Sequence, residues 1–61
     1  MKVKVIHIDK NGVETNFGEH DLSELPSAGD LIEIYPGKIW IVVKVNEPVD
    51  GTTPTIVVKD V

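Results

Sequence analysis

Polar and apolar positions alternate with a period of two at the start of the chain, in Lys2-Val3-Lys4-Val5-Ile6-His7-Ile8. Alternation of this kind, rich in β-branched residues, predicts a strand over Lys2–Ile8. Val3, Val5 and His7 share one face, and Lys2, Lys4, Ile6 and Ile8 share the other. Asp9-Lys10-Asn11-Gly12 follows, and Asn-Gly is a hairpin turn signal because both residues tolerate positive φ. Val13 to Leu22 predicts the returning strand. Val13, Thr15 and Phe17 lie on one face, Phe17 is expected in the core, and Gly18 marks a bulge or bend.

The next stretch, Leu22 to Asp30, reads as a connection. Asp21 is a candidate N-cap for a short helical turn over Asp21 to Leu25, after which Pro26 and Gly29 bar regular structure. Leu31–Tyr35 predicts a third strand, Pro36-Gly37 a type II turn or a close relative, and Ile39–Asn46 a fourth strand, the most apolar of all. Glu47 to Pro54, with two prolines and an Asp-Gly, is a loop. Thr55–Val61 is the last strand. No segment predicts a helix of three turns, and there is no repeat, low-complexity tract or linker. Five short strands in one domain over residues 1–61 predict an all-β fold, either a small five-stranded barrel or a strongly curled antiparallel sheet. Closure into a barrel would remove exposed edges.

Size bears on how such a domain is held together. A chain of 61 residues buries only about 60% of its unfolded surface, so the core is thin. There is no cysteine, which excludes disulfides, Cys-based zinc sites and thiol chemistry. No apolar run approaches the ~20 residues of a membrane span. The N-terminus alternates as a strand rather than forming a signal-peptide stretch, and a cytoplasmic location with no membrane partner is expected. The net charge is −4, with six lysines and no arginine. Phosphate neutralisation drives nucleic-acid affinity, and arginine supplies the fork that grips phosphate and guanine. This composition makes nucleic acid an unlikely partner.

Candidate chemistry is sparse. His7 and His20 are the only histidines. A metal needs three or four converging ligands and no spacing predicts them, so His7 is expected as a hydrogen-bonded histidine at the end of the core. Glu19 and Asp21 beside His20, and Asp30 and Glu33 after Gly29, are expected as solvated surface carboxylates, with Asp30 capping its own turn. A paired acid/base site needs carboxylates in a cleft, and a chain this short can hardly build one alone. No serine or threonine sits in a nucleophile-elbow pattern. The five glycines are isolated turn residues rather than a phosphate loop. The expectation is a non-catalytic domain without a cofactor or metal.

The aromatic residues carry the only positive functional signal. Tyr35 and Trp40 flank the Pro36-Gly37 turn. If Ile39, Ile41, Val43 and Val45 face the core, then Trp40 and Val42 face outward. Ile6 and Ile8 lie opposite Val3 and Val5. The resulting candidate interaction patch is Trp40, Val42, Ile6 and Ile8, with Tyr35. A patch of this kind marks a partner surface or a subunit interface. The alternative is that a bulge or a terminal segment covers these residues within one subunit.

The segment Pro26-Ser27-Ala28-Gly29-Asp30-Leu31-Ile32-Glu33-Ile34, followed by Trp40-Ile41-Val42-Val43-Lys44-Val45, resembles small SH3-like β-barrel proteins of bacteria and bacteriophages. In these a P-x-x-G-D turn introduces a strand that hairpins into a valine-rich one. The resemblance covers about a third of the chain, and it implies the fold more than any function. Some related barrels contact RNA, whereas this chain lacks arginine and a basic loop. Three functions are therefore weighed. The first is a protein-interaction module that binds another protein or its own copies as a homo-oligomer, for instance a phage or bacterial protein that binds and modulates a host factor. The second is a binder of a small ligand such as a nucleotide signal, with Tyr35 or Trp40 stacking on a base and Lys38 or Lys44 pairing with phosphates. The third is a nucleic-acid-binding barrel.

Overall fold

The alternation of Lys2–Ile8 becomes strand β1 in the computed structural model, which describes all residues from Met1 to Val61. Strand β2 spans Glu14–Asp21, β3 Leu31–Ile32, β4 Trp40–Asn46 and β5 Thr55–Asp60. They form one five-stranded sheet in the order β2-β1-β5-β4-β3. The fold is all-β, without a helix, and the sheet curls into a half-barrel. No helix is long and apolar enough to cross a membrane. The pairings β1–β2, β3–β4 and β4–β5 are antiparallel, but β1 runs parallel to β5. The sheet is therefore mixed, unlike the wholly antiparallel form expected from the sequence. The first and last strands meet at its centre, which no local signal could report.

Each turn is held by side chains suited to it. The Asp9 carboxylate accepts the N–H groups of Asn11 and Val13, at 2.8 and 2.9 Å, and closes the β1–β2 hairpin. Asp30 caps its own turn, its carboxylate taking the Ser27 N–H at 2.8 Å while its N–H donates to Ser27 at 3.0 Å. Tyr35 to Lys38 form a turn with Pro36 and Gly37 at its centre, and Gly37 takes the positive φ that a type II turn requires.

Two bulges set which residues face inward. On β2, Val5 pairs with Gly18 and Ile6 with Asn16, so Phe17 is the extra residue. Gly18 sits at φ +81°, a conformation that costs other L-residues ~1–2 kcal/mol. On β4, Val42 pairs with Val58 and Lys44 with Val57, so Val43 is extra. The core consists of Val3, Val5, Trp40, Val42, Ile56 and Val58, with Phe17, Leu22, Leu25, Ile32, Ile34 and Val45 packed against it.

Two expectations change. The third strand shortens from Leu31–Tyr35 to Leu31–Ile32, because Glu33–Tyr35 bends into the turn. No helical turn forms at Asp21–Leu25. Asp21 instead ends β2, and its carboxylate accepts a hydrogen bond from the Met1 ammonium at 2.8 Å. Of the two forms expected, the strands take that of a curled sheet, with β2 and β3 as its two edges.

Candidate functional site

The gap between those two edges is bridged by rings. Phe17 and His20 come from β2, Tyr35 from the β3–β4 turn, Trp40 from the start of β4 and His7 from β1. Phe17 stacks on His7 with centroids 5.2 Å apart, and meets Tyr35 and Trp40 edge-on at 5.5 and 5.7 Å. Tyr35 also meets His20 and Trp40 edge-on. Edge-to-face pairs at these distances are favourable beyond their buried area. The bulge at Phe17 explains how one β2 residue reaches across. It frees the Phe17 carbonyl from the ladder, and that carbonyl accepts from His20 Nε2 at 2.9 Å and from the Tyr35 hydroxyl at 3.5 Å.

One end of the cluster is charged. His7 Nε2 lies 3.2 Å from Asp60 Oδ1 and Lys38 Nζ 3.6 Å from the same oxygen. Lys38 also lies over the Trp40 ring, 5.2 Å from its centroid. The hydrogen bond from His7, followed by the positive charge of Lys38, holds the Asp60 carboxyl below the usual carboxylate range. His7 faces the core side and is fastened at its polar tip. His20 is committed to a backbone carbonyl. No group of three or more His, Asp or Glu side chains is placed to hold a metal ion.

The expected patch of Trp40, Val42, Tyr35, Ile6 and Ile8 does not assemble. Trp40 is 2% exposed and Val42 is buried in the core, so both face inward and the outward expectation for them is corrected. The reason lies in the register. Val42 pairs with the buried Val58, and direct partners point the same way. The bulge at Val43 then returns Val45 to the inner face, where it was expected. Strict alternation groups Lys44 with Trp40 and Val42 and so favours the opposite row as the core, but the bulge puts Lys44 outward while Trp40 and Val42 stay inward. Tyr35 is exposed at the seam. Ile6 and Ile8 do lie outward, half-buried on the opposite side of β1 from Val3 and Val5.

What replaces the patch is the outer face of β3 and β4. Leu31, Ile39 and Val43 are 62%, 45% and 39% exposed. Leu31 is the direct cross-strand partner of Ile41, and Ile41 that of Lys59. Val57 and Lys44, also partners, lie on the same side. Ile6 pairs with Val57 across the parallel ladder and continues the apolar surface onto β1. The expectation that Ile39, Ile41 and Val43 face the core is thereby corrected, since Ile39 and Val43 are exposed and Ile41 stands beside the exposed Lys59. Of the residues expected to hold a small ligand, Tyr35, Trp40 and Lys38 come together at the seam, but Trp40 is buried there and Lys44 lies apart on the outer face. None of the surface depressions is lined by Tyr35 or Trp40.

Comparison with protein-family models, with curated proteins and with solved structures finds no match to this chain.

Proposed function

We propose that this chain is a non-catalytic protein-interaction module whose binding surface is the outer face of β3 and β4. One observation carries the reading. Leu31, Ile39 and Val43 are large aliphatic side chains left exposed on one side of a hairpin whose other side builds the core. Contiguous exposed apolar surface of this kind is a signature of association. The resemblance of Pro26–Asp30 and Trp40–Val45 to small SH3-like barrels of bacteria and phages extends the reading to a protein that binds and modulates a host factor. Burial of Trp40 weighs against the nucleotide-binding alternative, and the absence of arginine against nucleic acid.

The test is the double variant Leu31→Ser/Val43→Ser. Wild type and variant, each immobilised, are exposed to lysate of the natural host, with circular dichroism as the control for folding. The expected result is a set of proteins retained by wild type and lost by a folded variant. Identical retention by both would overturn the reading.

A further inference from the structure

We infer that the occupant of the outer face is a second copy of this chain, related by a two-fold axis that runs along the strands between β3 and β4. The inference rests on the interaction reading above and names the partner. It follows from the charges that flank the apolar strip. On the β3 side, Leu31 lines a surface depression together with Glu24, Asp30 and Glu33. On the other side, Lys59 of β5 stands opposite Ile41, and Lys44, further along β4, stands opposite Val57. Carboxylates therefore border one side of Leu31 and Ile41, and lysines the other.

All five of these charged side chains are exposed, and none takes part in an ion pair within the chain. Asp30 and Glu33 each accept one backbone N–H, at 2.8 and 3.0 Å, which leaves lone pairs for further partners. The other half of the sheet differs, since Lys2 and Lys4 stand opposite Asp21 and Glu19 on β2. A strip with anions on one side and unpaired cations on the other is complementary to itself. Rotation by a half-turn about the axis lays Leu31 of one copy over Ile41 of the other, because the two are direct cross-strand partners at one level. The same rotation brings Lys44 and Lys59 over the carboxylate side of the second copy. Every contact occurs twice, as in an isologous interface, and the strands of the two sheets stay aligned, as in face-to-face sheet packing. A strip of one sign would repel its own copy, whereas this one attracts it. The core holds only six buried residues, and the second copy would cover Ile41, which is half-buried in one copy alone.

The test is the mass of the purified full chain in solution, by analytical ultracentrifugation from micromolar to sub-millimolar concentration. Wild type should be a dimer at the upper end and Leu31→Ser/Val43→Ser a monomer, with circular dichroism as the control for folding. Lys44→Glu/Lys59→Glu should weaken self-association about tenfold or more, because like charges then face each other twice. Glu24→Lys/Glu33→Lys should do the same, and Glu24→Lys alone replaces it if the turn that Glu33 caps is disturbed. The two reversed variants mixed in equal amounts should form a heterodimer, since each contact again joins opposite charges. A wild-type monomer throughout the range, a dimer that Leu31→Ser/Val43→Ser leaves intact, or a dimer indifferent to the lysine reversal would overturn the inference. If wild type is a monomer and its lysate capture is lost in Leu31→Ser/Val43→Ser, the occupant is another protein, so the surface reading stands and only the second copy falls. If that monomer and the folded variant retain the same proteins, both readings fall.

Discussion

Strand β4 has two apolar faces with opposite fates. Trp40, Val42 and Val45 pack inward, while Ile39, Ile41 and Val43 look outward from the same hairpin. The two rows are similarly hydrophobic. What distinguishes them is the side to which the sheet curls and the ring system that fills the concavity. Trp40 meets Phe17 and Tyr35 there, and its larger apolar area contributes more when buried than that of an isoleucine. The comparison teaches that hydrophobicity along a strand measures what could be buried, whereas its partners decide what is.

Removing Trp40 would break the comparison most severely. Trp40→Ala is expected to cost ~3–5 kcal/mol. A domain of this length has a total stability of about 3–9 kcal/mol. The variant should therefore lose a large part of its stability, read as a urea midpoint far below that of wild type. A cooperative urea transition close to that of wild type would refute the inward placement of Trp40. The Trp40 indole Nε1 is buried without an acceptor, and an unsatisfied donor costs about 1–3 kcal/mol. Trp40→Phe removes that donor along with some packing, so it should cost much less than Trp40→Ala.

Next in size is Val42→Ala, expected to cost about 2 kcal/mol through lost burial and a residual cavity. On the other row, Val43→Ser should stay within ~0.5 kcal/mol of wild type, as exposed substitutions do. Urea midpoints of this pair of neighbours separate the two faces directly. If Val43→Ser proved the more damaging, the phase assigned to β4 would be wrong.

Gly18→Ala tests how the seam is bridged. A Cβ at Gly18 would meet no atom within 4 Å, so the penalty comes only from the positive φ and is about 1–2 kcal/mol. The bulge it disturbs aims Phe17 at Tyr35 and Trp40, and loss of the Phe17–Tyr35 nuclear Overhauser contacts should accompany the destabilisation.

The smallest effect concerns pH. Asp60 is held below the ordinary carboxylate range by His7 and then Lys38. Asp21 is held below it by the hydrogen bond and charge of the Met1 ammonium. A carboxylate with a depressed folded-state pKa contributes stability that is fully present above its unfolded value near 4. That contribution is lost as pH falls through the lower folded value. Asp60→Asn should therefore flatten the acid side of the stability profile below about pH 4. Both carboxylates are exposed, so salt should shrink the effect. An unchanged acid limb would show that the His7–Asp60 contact does not matter in solution.

Much of this molecule was legible along its sequence. Strand β1 has the bounds its alternation predicts, and the Asn11-Gly12, Gly29-Asp30 and Pro36-Gly37 turns stand where their residues demand. Gly18 marks a real bulge. Such features are local, and each depends on a few neighbouring residues and their allowed φ and ψ. By contrast, the parallel meeting of β1 and β5 joins residues some fifty positions apart. The inward turn of Trp40 depends on Val42 lying beside Val58 and on a bulge one residue further on. Strict period-two alternation sets Lys44 in one row with Trp40 and Val42 and so points to the other row as the core, and the bulge at Val43 breaks that phase. Only the curl of the assembled sheet, with Phe17 reaching across its open seam, decided which row became the core and which became the surface.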